Sequence, residues 1–449
     1  MGQTVELVEY QTKRVASVKP TPEDLRLADR LAAGGEIDAR LDVRWLLGGH
    51  VEIKSSSWVG VVRFSGLEVR VMPKLVGGSL RVLRMVEYAS GVRLLSRLPH
   101  DQRIPAEGTD LFHLIVMALV KETNSLVRDG LIRDYRPVDD ALTVLRGRLR
   151  MRDQFLRRYG SLHQLECHFD EYDGDIPENQ LLALALSAAA KRVDGSLLSN
   201  TRGLAGTLAR TCMPPTRDPD WYTRQIQYDR RNGRYRPAHE LALLVLKGLA
   251  LSDLPGSTYQ RVTAFMIDMN TVFERFVTRL VTEALADGPL HVSTQQTYRA
   301  AIIDESTRDA YATIRPDLVI VDGRSRQKVP VDIKYKLYED KRLSSSDIYQ
   351  LFTYAYALGE TQSIPNAGVL YAATNPVVGP VLRINQIAGV SGASIRGAGV
   401  DVAGILAELD SETSSSVLDG VRNIIHQITG LPVDNGTRDR LSEGEFLSN

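Results

Sequence analysis

The sequence predicts a multidomain α/β protein with a β-rich N-terminal region (residues 1–105), a mainly helical middle (106–260), an α/β C-terminal region (261–430) and a disordered tail (431–449). Three observations lead there. At 449 residues the chain exceeds what one compact core holds, so two or three domains are expected. Strand-like alternation and helix-like spacing are segregated along it. Finally, two β-branched runs, Pro316–Val321 and Val329–Tyr335, flank the polar segment DGRSRQ, the signature of two antiparallel strands joined by a short loop.

Taken in order, WVGVVRFSGLEVRVMPKLV (Trp58–Val76) contains two β-rich runs separated by Ser65 and Gly66, with Leu67, Val69 and Val71 alternating against Glu68 and Arg70. This is a hairpin pattern, and Pro73 ends its second strand because it cannot donate to a ladder. Arg70 and Lys74 are either partner contacts or solvated charges. From Leu111 to Arg128 apolar residues recur at helical spacing, with Gly130 as a C-terminal stop. If Val144–Arg152 is extended, Arg146, Arg148, Arg150 and Arg152 project from one face and Leu145, Leu149 and Met151 from the other. Such a row suits a DNA phosphate backbone, an acidic surface on a partner, or plain solvent.

ECHFDEYDGDIPENQLLALAL (Glu166–Leu186) reads as an acidic turn followed by an amphipathic helix from Pro177 to Val193. The spacing of Asp170, Asp173 and Asp175 does not follow a calcium-binding loop, and His163, Cys167 and His168 lack a fourth zinc ligand at any standard spacing. YDRRNGRYRP (Tyr228–Pro237) sets Arg230, Arg231, Arg234 and Arg236 beside Tyr228 and Tyr235, chemistry suited to phosphate and base contacts or to stabilising its own loop, and leads into a helix over 238–252. A longer helix is expected from Thr263, carrying Phe265, Met269, Phe273 and Phe276. Ser344 with Asp347 fits a capping box for a helix that puts Gln350, Tyr354 and Ala357 on one side. Gly368–Thr374 reads as a buried strand, and the glycine-rich residues 388–404 as a loop.

Composition narrows the function. Lys plus Arg equals Asp plus Glu at 55 each, so any DNA contact must come from local basic patches rather than from net charge. Cys167 and Cys212 are isolated, which indicates neither a disulfide framework nor a zinc knuckle and fits a reducing cytoplasm. The longest apolar stretches, Leu114–Val120 and Leu181–Ala190, fall well short of a bilayer span, and no signal peptide is read, so a soluble protein is expected. No G-x-x-x-x-G-K-[ST] is present, so this chain itself is expected to bind no nucleotide through a P-loop. GVSGA (Gly389–Ala393) is not a nucleophile elbow, and no internal repeat is found.

The hairpin carries the chemistry. With its loop centred near Arg324 and Ser325, Asp317 lies across from Asp332, and facing Cβ atoms on a sheet are about 5 Å apart. Lys334 shares the face of Asp332, while Ile333 and Tyr335 point the other way. Paired carboxylates repel unless a cation lies between them, and a site with few protein carboxylates suits magnesium, which keeps waters and accepts phosphate oxygens. A lysine beside such an ion orients an attacking water or stabilises developing charge. The chemistry suggested is phosphodiester hydrolysis.

P-D followed fifteen positions later by D-I-K resembles the motif of the restriction-endonuclease-like PD-(D/E)xK superfamily, with Asp347, Gln350 and Tyr354 similar to its following helix. FMIDMNTVFERFV (Phe265–Val277), RPDLVIV, VDIKYK and DIYQLFTYAYALG together resemble the McrC family, the nuclease subunit of McrBC-type 5-methylcytosine-dependent restriction systems. The V-G-V run with its P-K ending, L-R-G-R and YDRRNGRYRP look like further family blocks.

That resemblance implies a Mg2+-dependent endodeoxyribonuclease, with Mn2+ as a substitute. Its catalytic triplet is Asp317, Asp332 and Lys334, the two aspartates holding the metal; Gln350 is an accessory group, and Glu274 is the extra acidic residue of the preceding helix. The implied partners are double-stranded, modified DNA and an McrB-like hexameric AAA+ GTPase, engaged through the N-terminal part and stimulated by this chain. Arg146, Arg148, Arg150, Arg231, Arg234 and Lys74 are the candidates for DNA or partner contact. Two alternatives remain open: an adaptor and activator of the motor with an idle nuclease site, and a stand-alone repair nuclease.

Overall fold

The computed structural model describes residues 3–16, 19–33, 39–46, 49–74, 78–91, 111–213, 217–249, 263–336, 338, 342–359, 364–375, 377–385, 391–409 and 414–431. They form two compact units, Met1–Met72 with Val92–Ile267, and Pro73–Gly91 with Asp268–Asn449. The tail expected to be disordered lies, apart from Leu431, outside the described residues.

In the first unit, β1 (Gln3–Val8), β2 (Thr12–Ala16), α1 (Pro22–Ala32), β3 (Leu41–Leu46), β4 (His50–Ser55), β5 (Trp58–Arg63) and β6 (Leu67–Met72) build two small sheets. The hairpin of β5 and β6 pairs Gly60 with Val71 and Val62 with Val69, as the alternation predicts. Its inward residues Val62, Leu67, Val69 and Val71 are fully buried in a core shared with Leu27, Leu31, Val51 and Ile53. α2 (Ser79–Ser90) belongs to the second unit.

The first unit continues through α3 (Leu111–Arg128), β7 (Asp134–Leu142), β8 (Arg148–Leu149), α4 (Met151–Arg158), β9 (Leu165–Asp173), α5 (Pro177–Ala189), α6 (Gly195–Ala209), α7 (Pro219–Gln225), α8 (Arg236–Leu249) and β10 (Thr263–Asp268). α3 and α5 begin where expected, and α3 and α5 pack together with α6 and α8. The segment read as an acidic turn is instead β9, antiparallel to all nine residues of β7. It is a strand because Cys167 and Phe169 alternate as buried residues; Asp170 lies on the opposite, exposed side, Asp173 at the half-buried end of the strand and Asp175 beyond it.

Thr263–Asp268 is a strand, not the start of the expected helix. Ala264, Phe265, Met266 and Ile267 are all buried, and the run completes the sheet ordered β1-β6-β5-β10. Its neighbour is shaped for it: a Cβ on Gly60, which sits at φ +145°, would lie 2.1 Å from the Phe265 carbonyl. An apolar run of this length cannot be told from a buried helix by periodicity alone. The helix starts one residue later, where the Asp268 side chain accepts the amide of Asn270.

The second unit contains α9 (Met269–Ala284), β11 (Leu290–Thr294), β12 (Tyr298–Ile303), β13 (Ala310–Ile314), β14 (Leu318–Asp322), β15 (Lys328–Lys334), α10 (Ser345–Leu358), β16 (Asn366–Ala373), β17 (Val377–Asn385), β18 (Ser391–Asp401), α11 (Val402–Leu409) and α12 (Ser414–Thr429). Its six-stranded sheet runs β11-β14-β15-β16-β18-β17. β14 and β15 are the antiparallel hairpin of the sequence, and β15 continues through α10 into parallel β16, a βαβ crossover.

Residues 391–401 are a strand between β16 and β17, which corrects the glycine-rich loop expected over 388–404. The glycines serve packing. A Cβ on Gly397 would meet the Tyr371 ring at 3.3 Å and Val369 at 3.4 Å, so the missing side chain makes room for the buried tyrosine. α10 covers one face through Leu351 and Ala355 against Ala367, Val369 and Ile395. On the other face α12 places Ile428 against Gly368 and Val331, while Phe273 of α9 stacks 5.5 Å from Tyr335.

Candidate active site

The hairpin register is the one the loop chemistry demands. Leu318 pairs with Val331 and Ile320 with Val329, so the ladder extended by one position sets Asp317 opposite Asp332. The loop is closed by Asp322, whose carboxylate accepts from Arg324 N–H and from the Ser325 hydroxyl. Burial of Val331, Ile333 and Tyr335 on one face fixes which residues emerge on the other. Those are Asp332, 2 % exposed, and Lys334, half-buried.

Asp317 Oδ2 accepts the Ile333 amide at 2.8 Å, which binds the start of one strand to the end of the other. Lys334 Nζ lies 2.7 Å from Asp332 Oδ2 and donates to Gln350 Oε1 at 3.3 Å. Gln350 Nε2 donates to the Tyr354 hydroxyl at 2.8 Å, one helical turn along α10, and that hydroxyl donates to the Arg315 carbonyl at 3.4 Å. On the far side, Gln295 donates its main-chain amide to the Asp317 carbonyl at 2.9 Å and its side-chain amide to Glu274 at 2.9 Å. Arg315 donates to the Gln295 side-chain oxygen.

The structure thus brings Asp317, Asp332, Lys334, Gln350 and Glu274 into one network. The sequence reading missed Gln295 and Arg315. Arg315 carries a signal, as the cation two positions before Asp317; Gln295 carries none, because it reaches the site through the pairing of β11 with β14.

Electrostatics follow from this crowding. Burial first, then the charge of Asp332 and, more weakly, that of Glu274 push the Asp317 carboxyl up to about 8, against the stabilising pull of the Ile333 amide. Burial opposes the Lys334 ammonium, but the charges of Asp332 and Asp317 outweigh it and raise its pKa. Asp332 Oδ2 is fully buried and has no well-directed hydrogen bond; the lysine meets its charge, not its lone-pair geometry.

A buried carboxylate oxygen short of a hydrogen bond, facing a second carboxyl whose pKa its neighbour raises, fits a small hard cation. Among the described residues no group of three or more His, Cys, Asp or Glu is arranged to hold a metal, so the protein would offer two carboxylates. That is the donor set magnesium uses when waters and phosphate complete its shell.

Asp347 lies outside this set. It is buried and accepts from Ser344, from Lys336 at 3.1 Å and from Tyr338, and the Ser344 hydroxyl accepts the Asp347 amide. Only this half of the expected capping box forms, since the aspartate is engaged by the lysine and the tyrosine.

The basic candidates sit elsewhere. The extended arginine row does not form. Gly147 turns the chain at φ +69°, where a Cβ would strike the His168 carbonyl, and from Met151 the chain is helical, so Arg152 leaves the row. Arg146 stacks 4.1 Å over Phe169 and pairs with Glu171, Arg150 pairs with Asp139 and Asp153, and Arg148 is exposed. Arg231 pairs with Asp134 and Asp229, and Arg234 donates to the Gly130 carbonyl and stacks on Tyr235. Tyr235 is buried and Tyr228 bonds His239, so the basic aromatic block braces its own turn. Lys74 is exposed just after Pro73.

Residues 53–369, well over half of the chain, match the family described as McrBC 5-methylcytosine restriction system component. The chain belongs to that family. Among McrBC structures it resembles McrC of Thermococcus gammatolerans in the half-complex of a tetradecameric assembly of McrB AAA+ hexamers with bound McrC: identity is 19%, the TM-score is 0.56, and the match covers 94% of this chain and 100% of that one. The likeness shows a shared fold across both units. A second T. gammatolerans McrBC complex, solved by cryo-EM, matches at 22% identity and a TM-score of 0.41 over 64% of this chain and 89% of that one. No curated protein matches the chain. Among the described residues, no helix of this McrBC component is long and apolar enough to cross a membrane.

Proposed function

We propose that this McrBC component is the DNA-cutting subunit of a modification-dependent restriction complex, a Mg2+-dependent endodeoxyribonuclease of the PD-(D/E)xK kind. The observation that carries the reading is the face-to-face Asp317 and Asp332 with Lys334 on the same side.

Asp317 and Asp332 would hold the metal. When bound, magnesium neutralises charge on the scissile phosphate and lowers the pKa of a water. Lys334, with the charge of Asp332 beside it holding its proton on, remains an ammonium that orients the attacking water or meets the charge developing on the phosphate. Gln350, braced by Tyr354, fixes the lysine's direction, so that it is not drawn wholly onto Asp332. Glu274 adds a further acid beside Asp317.

The neighbour's partner, an AAA+ hexamer, is proposed for this chain as well: an McrB-like GTPase that it stimulates. We assign its docking surface to the β7–β9 region with α4 rather than to the N-terminal part that the family resemblance implies. Phe155, Leu156, Tyr159 and Leu162 are 60%, 65%, 93% and 76% exposed there. Four exposed apolar side chains within eight residues mark a protein contact, and the pairing of Arg146 and Arg150 with acids disfavours DNA.

The test is cleavage of methylated and unmethylated plasmid by the purified chain with magnesium, with and without the motor and GTP, using Lys334→Ala as control. Cutting in the complete mixture that the variant loses supports the reading. Equal cutting by the chain alone points to an independent nuclease, and stimulated GTP hydrolysis without cutting points to an adaptor.

A further inference from the structure

Arg315 stands beside the site, joined to it through Gln295 and Tyr354, and takes no part in the chemistry proposed for the aspartates and lysine. It is exposed, two residues before Asp317. Among the described residues its guanidinium meets the Gln295 side-chain oxygen and no carboxylate, even though Asp317, Asp332 and Glu274 all lie in the same network. It is aimed from both ends: its carbonyl accepts the Tyr354 hydroxyl, and its guanidinium is caught by Gln295.

Gln295 can hold only one way round. A guanidinium only donates and an ionised carboxylate only accepts, so the amide oxygen must face Arg315 and the amide nitrogen Glu274. The residue sits at φ +48°, a left-handed conformation that a side chain disfavours and that the surrounding bonds sustain. Its own main-chain N–H is tied to the Asp317 carbonyl. One residue therefore fixes the distance between the cation, the extra acid and the strand bearing the first aspartate. Glutamate at this position would repel Glu274; leucine would release both ends.

Arg315 keeps most of its five donors in a planar fork suited to two oxygens of a phosphodiester. Lys334 is already engaged by Asp332 and Gln350. We propose that Arg315 is the residue that clamps a backbone phosphate of the DNA strand being cut, and that Gln295 is the positioning residue that holds it in register with Glu274 and Asp317. This deepens the nuclease reading above and rests on it.

The experiment uses the full chain with its motor partner and GTP, and measures cleavage kinetics and anisotropy of a labelled duplex across a salt series for the wild type, Arg315→Ala, Arg315→Lys, Gln295→Leu and Asp332→Ala. Loss of one charge-assisted phosphate contact is expected to raise KM about tenfold while kcat changes less. The salt slope of binding should fall by about one unit in Arg315→Ala and be restored in Arg315→Lys, which keeps the charge but not the fork. Gln295→Leu should raise KM and lower kcat together, with the salt slope unchanged.

An Arg315→Ala enzyme with wild-type KM and salt slope overturns the clamp. So does one that loses kcat alone and is not rescued by lysine, because that is what a structural role gives. If Asp332→Ala cuts as well as the wild type, the nuclease reading itself fails, a result separable from either of these.

Discussion

Two stretches of this chain show the same alternation of charged and apolar residues, and only one keeps it when folded. In the hairpin of β14 and β15, Asp332 and Lys334 share a face because Val331, Ile333 and Tyr335 are buried beneath them at 0%, 7% and 2% exposure. In the segment from Leu145 to Arg152, the residues opposite the arginines include Leu145 and Met151, which are 53% and 55% exposed. With nothing burying one face, a one-residue slip costs little, and Gly147 together with the start of α4 breaks the row. Alternation decides register where a core enforces it.

The largest contrast is in activity. Asp332→Ala should reduce DNA cleavage on the order of 10²-fold or more, since it removes a charge the reaction needs at the phosphate. Motor binding and stimulated GTP hydrolysis should persist. Loss of both together in a cleavage and GTPase assay would make Asp332 a structural residue. Reversing Arg148 and Arg150 together should leave cutting by a preassembled complex nearly unchanged and act on assembly instead.

The next contrast is in stability. Phe273 is fully buried and stacks on Tyr335 behind the hairpin. Phe273→Ala should cost about 3–5 kcal/mol in denaturant unfolding, the range for an aromatic removed from a core. A cost below about 1 kcal/mol would mean that the buried face does not enforce the register of the aspartates.

How far the sequence reached follows the same rule. The strand that follows Asp317 and the strand bearing Asp332 lie within two residues of their predicted ends, and α3, α5 and β16 were legible because apolar periodicity and a buried face coincide. Two of the misread elements are runs whose pattern is set by a neighbour. Thr263–Asp268 is apolar through its middle four residues because it completes a sheet begun some 260 residues earlier, and Ser391–Asp401 carries Gly397 because Tyr371 needs the room. Gln295 was invisible for a related reason: it is polar, exposed and defined by what β11 pairs with.

A subtler difference should appear with pH. Without a divalent cation, Asp317 has a pKa of about 8 when folded and the ordinary carboxylate value of 3.8 as its reference. The folded state therefore holds this proton more tightly than the unfolded one. The stabilisation it contributes is full below the ordinary carboxylate range and is lost as pH rises through about 8. Tm of the metal-free chain should fall from about pH 6 to about pH 9 more steeply in the wild type than in Asp317→Asn. Added magnesium should raise Tm more at the alkaline end, where the ion no longer competes with the proton. Equal slopes in the two proteins would mean that Asp317 is not the group that titrates.

The smallest stability effect should come from the arginine segment, and it is the sharpest test of the comparison. Phe155 and Leu156 on α4 are apolar yet mostly exposed, so replacing both with serine removes little buried surface and should change stability by no more than about 0.5 kcal/mol. If this surface docks the motor, the same double variant should weaken binding to the hexamer by about tenfold or more, as loss of an aromatic anchor at an interface does. A stability loss comparable to that of Phe273→Ala would place these side chains in a core, whereas unchanged hexamer affinity would remove α4 from the docking surface. The expected pattern, stability untouched and affinity reduced, separates an apolar face that awaits a partner from one that holds the fold.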